Sequence, residues 1–297
     1  MLALDIPPSK SDAFFWTDFA EINAVCHEDH CFSRGDLKGI AVRGKDRGAG
    51  FDPELRWREI VAFLENRKVC FGDSYPFYIS EDQDTIFLDA KDSPGRTCYL
   101  DLLLASGMRH MERGEIGKVG RFFEEFCYHA FSELMPRGVE IRATWAGGGE
   151  EAVYQGTLHE KMKALAEDIR CTANFEEKDF KERDRGDGGI DLVAWHPMYD
   201  KREGVPIAFA QCGCSKDNWT FKQLEASPSK HYRNLPVMHR WSTYYFMPLD
   251  LRDSDGDWAY KSDIGEAIIV DRLRLLKIAT DNKLFDRLPK FPVNPRC

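Results

Sequence analysis

In DAFFWTDFAEINAVC (12–26), Phe15, Phe19, Ile22 and Cys26 recur at the three- and four-residue spacing of one apolar helix face. Trp57, Ile60, Val61 and Leu64 repeat the pattern after Asp52 and Pro53, a capping residue followed by a first-turn proline. YPFYIS and TIFLD flank EDQD and predict a short hairpin, and CYLDLLLASGMRHM predicts another helix. This helix-rich N-terminal region ends near ERGEIGK, and the pattern changes from Gly117. RFFEEFCYHAFSELM reads as a strongly apolar helix bounded by Pro136 and Gly138, and TWAGGGEEA as a loop. TLHEKMKALAEDIR gathers Leu158, Met162, Leu165 and Ile169 on one helical face. GIDLVAW and VPIAFAQC predict two strands joined by HPMYDKREG, and STYYFMP predicts a third. EAIIVDRLRLLKIA fits a strand or a helix equally well. The order of elements predicts two regions: a helix-rich 1–116, and an α/β layer around a mixed sheet in 117–297.

Composition adds the class. The 297 residues are enough for two domains, and 43% hydrophobic with 31% charged residues is the balance of an ordinary globular chain. No apolar run approaches the ~20 residues of a membrane span, and MLALDIPPSKSD lacks the order of a signal peptide. Nine cysteines at irregular spacing predict reduced thiols and a cytoplasmic protein. A net charge of -9 argues against a surface coated in basic groups for nucleic acid. The segment 212–247 reverses that sign: Lys216, Lys222, Lys230, Arg233 and Arg240 stand against Asp217 and Glu225, with His231 and His239 available to add charge. A phosphate-binding face is expected there.

Several candidate sites fall away on chemistry. CHEDHC (26–31) packs two cysteines and two histidines, but no second pair follows to complete a zinc tetrahedron, so it reads as a helix end. The glycines at 147–149 are not followed by the Lys-Ser/Thr of a phosphate loop, and no Gly-x-Ser-x-Gly elbow occurs. Cys212 and Cys214 alternate around Gly213, share one face of a strand and read as packing.

What remains is GDGGIDLVAW (186–195) followed by IAFAQCGC (207–214). Asp191 opens one apolar strand after a glycine-rich turn, and Gln211 ends the next. If the strands are neighbours, both side chains converge at one end of a sheet. Oxygen ligands so placed suit Mg²⁺, which takes one or two protein groups and completes its octahedron with water and phosphate. A metal there would polarise a phosphodiester and activate a water.

GDGGID followed by an apolar strand ending in Gln-Cys resembles the PD-(D/E)xK, restriction-endonuclease-like nucleases. The likeness is to the branch of prokaryotic restriction and defence nucleases with Gln-x-Lys on the second strand, and covers roughly residues 117–250. It implies a mixed sheet flanked by helices and Mg²⁺-dependent cleavage of DNA, with Mn²⁺ as a substitute. It implies Asp191 and Gln211 as metal-binding groups, Asp187 in the approach turn, and a glutamate on a preceding helix. Glu160 is the first choice and Glu124 the alternative. The lysine should stand two residues after Gln211, where this chain has Gly213. Lys222, then Lys216, are the candidates to replace it as catalytic cation. Lys216, Lys222, Lys230, Arg233 and Arg240 would contact the DNA backbone. The acidic remainder leaves room for a partner protein of a defence system, or for a homo-oligomer. The competing expectation is a catalytically degenerate nuclease-fold module that binds nucleic acid or a partner protein.

Overall fold

A computed structural model describes residues 7–8, 12–43 (backbone only at 41–43), 51–144, 153–182, 184, 186–253 and 255–294. The glycine run at 147–149 lies outside the described residues.

The N-terminal region holds α1 (Ala13–Cys26), α2 (Arg34–Arg43), α3 (Pro53–Phe71) and α4 (Pro94–Ser106). They pack around a small antiparallel sheet of β1 (Cys31–Ser33), β2 (Phe77–Ile79) and β3 (Thr85–Leu88), with β3 in the middle. β2 and β3 are the expected hairpin. α3 starts where Asp52 accepts from the Glu54 and Leu55 amides, with Pro53 in the first turn, so two of the orphan donors of a helix start are met. CHEDHC is divided between the end of α1 and the start of β1.

α5 (Arg113–Leu134) carries the chain into the second region, and the boundary expected at 116/117 falls inside it. There follow β4 (Glu140–Ala143), α6 (Leu158–Asp168), β5 (Leu192–Trp195), β6 (Ile207–Cys212), the single turns α7 (Trp219–Lys222) and α8 (Pro228–His231), β7 (Ser242–Phe246), β8 (Ala267–Val270) and α9 (Arg272–Asp281). The sheet order is β4-β5-β6-β7-β8. β4, β5 and β6 form an antiparallel meander; β7 and β8 add in parallel. The chain is therefore α/β around a five-stranded mixed sheet, as expected. β4 had no predicted counterpart: Glu-Ile-Arg-Ala is short and half-exposed, and its place rests on pairing with β5 and on Arg142 lying 4.9 Å over Trp195. EAIIVDRLRLLKIA turns out to be both alternatives in sequence. β8 stops at Asp271, whose carboxylate accepts from the Arg274 amide and starts α9.

Alternation divides the central strands between two layers. Leu192, Ala194, Ala208 and Ala210 face α5, in a core that runs from Trp16 to Val293 and so crosses between the regions. Val193, Trp195 and Phe209 face Met162 and Leu165 of α6 and Trp241. The site lies where the ends of β5 and β6 meet the N-terminal half of α5.

A buried charge network also joins the regions. Asp18 and Glu21 of α1, Arg67 of α3, Asp250 after β7 and Arg272 of α9 are each at most 1% exposed. Arg67 reaches Asp18 at 2.8 Å, Glu21 at 2.8 Å and Asp250 at 3.0 Å. Arg272 holds both Asp18 oxygens at 3.0 Å and donates to the Pro248 carbonyl. Burial by itself would raise Asp18, but Arg272, Arg67 and Lys216 hold it well below the usual carboxylate range. Glu21 is raised by burial despite Arg67 and Arg272, and the Tyr75 and Tyr99 hydroxyls donate to it.

Candidate active site

The site begins with a turn. Gly188 and Gly189 have φ of +70° and +87°, a region that side-chain-bearing residues rarely enter. The Gly189 amide donates to Asp187 Oδ1 at 2.7 Å, and the Lys230 ammonium donates to the Gly188 carbonyl at 2.8 Å. A β-carbon at Gly189 would also lie 2.7 Å from Glu225 Cβ, so glycine is required there by both conformation and space. The turn delivers Asp191 to the start of β5. Its backbone amide donates to the Ala210 carbonyl at 2.9 Å, and its Oδ2 accepts the Cys212 amide at 2.6 Å. Asp191 therefore holds the backbone on both sides of Gln211, with its amide on one side and its carboxylate on the other. The expected meeting of Asp191 and Gln211 at one end of the sheet is present.

Gln211 is 8% exposed; among the described residues its Oε1 has no hydrogen-bond partner and its Nε2 makes only a long contact of 3.5 Å to the Cys212 carbonyl. Asp191 is 5% exposed, and its carboxyl stands well above the usual range. Burial is the main cause, followed by the charges of Asp187 and Glu124 and a hydrogen bond with Asp187. Glu124 is pushed up to about 7, by burial and then by Asp187, against the pull of Arg121.

Glu124 comes from α5 by helical geometry. Cys127 and Phe131 lie along the stripe of α5 that packs on the sheet, with Phe131 5.4 Å from Tyr244 and 6.0 Å from Phe246. Glu124 continues that stripe one turn earlier, beyond the strand ends. Glu160 is used differently. It forms a capping box with Thr157, accepting the Thr157 amide at 2.7 Å, and it is not among the charges that act most on Asp191. The helix glutamate beside Asp191 is Glu124.

The two lysines also separate. Lys216 is 5% exposed, 3.5 Å from Asp18 and 5.4 Å from the centre of the Phe15 ring. It is paired with Asp18 in the buried network and is not among the charges that act most on Asp191, so the structure does not bring it to the Asp191 cluster where its catalytic and DNA-contacting roles were expected. Lys222 ends α7, and among the described residues no hydrogen bond or ion pair engages its ammonium. Its charge acts on Cys214, a thiol that also feels Glu124 and Asp191. The helix expected from DNWTFKQLE is one turn long, and Asn218 sits at its start with φ +63° and makes no side-chain cap.

Lys230 is exposed but tied to the glycine turn, and Arg233 and Arg240 are exposed. His231 is buried with Nε2 2.7 Å from the Glu225 carbonyl, and burial pushes it down to about 4. It therefore adds no positive charge to this segment at neutral pH. Beside Asp187 a cleft of about 490 Å³ opens, lined by the glycine turn, Lys230, Leu158, Met162 and Phe180. Cys212 and Cys214 are raised well above the ordinary thiol range by burial, and all eight described cysteines are free, in keeping with packing.

Among the described residues, no three His, Cys, Asp or Glu side chains form a metal-binding group by themselves. The donors present still suit a hard dication, because a carboxylate, an unpartnered amide oxygen and a nearby glutamate are oxygen ligands of the kind Mg²⁺ shares with water and phosphate. Buried acid that no ion pair balances among the described residues, despite the pull of Arg121 on Glu124, is the electrostatic counterpart of that donor set. No protein-family model matches the chain, and neither a curated protein nor a solved structure matches it. Among the described residues, no helix is long and apolar enough to cross a membrane.

Proposed function

We propose that this chain is a metal-dependent endonuclease of the PD-(D/E)xK kind, cleaving DNA phosphodiesters with Mg²⁺, or Mn²⁺ in its place. One observation carries the reading: Asp191, Asp187 and Glu124 crowd one end of the sheet, where among the described residues no ion pair engages them, beside the Gln211 oxygen that likewise has no partner among those residues. The order of elements supports it too. A helix bearing the glutamate precedes an antiparallel meander bearing Asp191 and Gln211, and a parallel strand follows a helical crossover.

On this reading Asp191 and Gln211 Oε1 would hold the metal, with Glu124 as a further oxygen donor beside them. The metal, when bound, supplies Lewis-acid polarisation of the phosphate and a more acidic water. Water attacks phosphorus, the bond from phosphorus to the leaving sugar oxygen breaks, and that oxygen takes up a proton. Lys222, whose charge acts on Cys214 next to the cluster, would face the phosphate charge. Lys230, Arg233 and Arg240 hold the DNA backbone by salt-sensitive contacts. A cytoplasmic restriction or anti-phage role, with a partner protein for targeting, extends the family resemblance.

A second reading has its own support. Gly213 leaves the family's lysine position empty of charge, and Lys216 is sequestered. A binding module that has lost cleavage would look the same in those two respects. Supercoiled plasmid incubated with Mg²⁺ or Mn²⁺ decides between them. Nicking by the wild type and none by Asp191→Ala supports the nuclease; retained DNA binding with no nicking by either protein supports the binding module.

A further inference from the structure

Gly213 follows β6, two residues beyond Gln211 and on the face of the strand that Gln211 occupies. A β-carbon built at Gly213 would lie 2.3 Å from the Tyr245 hydroxyl oxygen and 3.0 Å from its Cζ. Its backbone is not in the left-handed region, so glycine is needed here for space and not for conformation. Tyr245 is fully buried on β7, in register with Gln211, and its ring cannot swing aside without opening the core. The phenol thus fills the volume that any side chain at 213 would take.

Among the described residues that hydroxyl is a buried polar atom with no partner, as are Gln211 Oε1 and Thr243 Oγ1. The parallel register pairs Gln211 with Tyr245 and Phe209 with Thr243, so the three polar atoms project from one face of two adjacent strands. Each buried polar atom left unmet costs on the order of 1–3 kcal/mol, and protein interiors meet such groups with ordered water. Burial, then the neighbouring Cys214 and Cys212, raise the phenol above its ordinary range. It is a neutral donor throughout the working pH of a protein.

We infer that Tyr245 is a further positioning residue of this site. Through an ordered water shared with Gln211 Oε1, its hydroxyl supplies the hydrogen bond that orients the attacking water beside Asp191. Tyr245, reaching across from the next strand, stands where the resemblance expects a lysine, and Gly213 is the residue that makes room for it. The inference rests on the nuclease reading.

The test compares wild type, Asp191→Ala, Tyr245→Phe, Tyr245→Ala, and Tyr245→Ala combined with Gly213→Lys, on supercoiled plasmid with Mg²⁺. Thermal melting and metal-free binding to a fluorescent DNA duplex accompany each rate. Tyr245→Phe is expected to lower kcat about 100-fold, leaving KM, melting temperature and duplex affinity at wild-type values. Gly213→Lys in the Tyr245→Ala background is expected to restore part of the lost rate, because it returns a donor to the same volume. A crystal structure of the metal-free protein is expected to hold a water within hydrogen-bond distance of Tyr245 Oη and Gln211 Oε1, and Tyr245→Phe to lose it. Wild-type kcat in Tyr245→Phe, a rate loss matched by loss of melting temperature and duplex affinity, no rescue by Gly213→Lys, or no such water would each overturn the role. If wild type nicks, Asp191→Ala does not and Tyr245→Phe nicks as fast as wild type, only this inference falls. If wild type does not nick, the nuclease reading falls and takes the inference with it.

Discussion

Two buried polar clusters lie in this protein, and their accounts differ. Around Asp18, the Arg67 and Arg272 guanidiniums meet three carboxylates, the Tyr75 and Tyr99 hydroxyls donate to Glu21, and Lys216 closes the set. Around Asp191 there is acid beside acid, with Arg121 pulling on Glu124 but no ion pair among the described residues, and amide and phenol oxygens with no partner among those residues. The first cluster pairs its buried charge internally, which is how such groups survive without water. The second has no such internal pairing among the described residues, and its carboxyls are pushed towards the neutral form. The contrast separates a group that ties the two regions together from one that, on the proposed reading, would take a metal.

The strongest way to break the comparison is Arg272→Met. It strands the Asp18 carboxylate in the interior, and about 3–5 kcal/mol of stability is expected to go, read as a lower urea midpoint. An unchanged midpoint would mean that the network is not structural. Asp191→Asn probes the other cluster and should do the reverse. Plasmid nicking is expected to fall at least ~100-fold, with the urea midpoint held or raised, because a like-charged buried carboxyl is removed. Loss of stability on the scale of Arg272→Met would erase the distinction between the clusters.

Lys216 gives a pH test of the network. Its ammonium is lowered to about 8 by burial, with Arg109 and Arg272 reinforcing the shift and Asp18 opposing it. Between about 8 and 10.5 the unfolded chain keeps this proton and the folded chain releases it, so stability from this group rises with pH across that window. Lys216→Met is expected to lose the rise, roughly 1–2 kcal/mol of relative stability between pH 8 and 9.5. Urea titrations of both proteins at the two pH values measure it, and parallel profiles would contradict the shift. The smallest contrast pits two glutamates against each other. Glu160→Ala should cost about 0.5–1 kcal/mol through its helix cap and leave nicking intact. Glu124→Gln should slow nicking roughly 10-fold with little change in stability. The opposite result would restore Glu160 to the site.

Helix and strand periodicity made α1, α3, α4, α5, α6 and the β2–β3 hairpin legible, because those patterns repeat within a few residues. β1 and β4 escaped because three or four residues carry no period, and their pairing partners lie far along the chain. Asp18 and Glu21 could not be recognised as buried: an acid on an apolar helix reads as solvated until Arg67 and Arg272 arrive from other helices.

Local chemistry was enough to single out Asp191 and Gln211, since a glycine turn before one apolar strand and a polar end to the next can be read in the chain itself. Choosing between Glu124 and Glu160 needed the packing of α5 on the sheet, and choosing between Lys216 and Lys222 needed to know which ammonium is buried on Asp18. The glycine at 213 had no visible cause in the sequence. Only the parallel register of β7 on β6, a contact between segments some thirty residues apart, brought the Tyr245 hydroxyl into its place. Periodicity is local, whereas burial and register are set by residues distant in the chain, and that is the physical reason for the division.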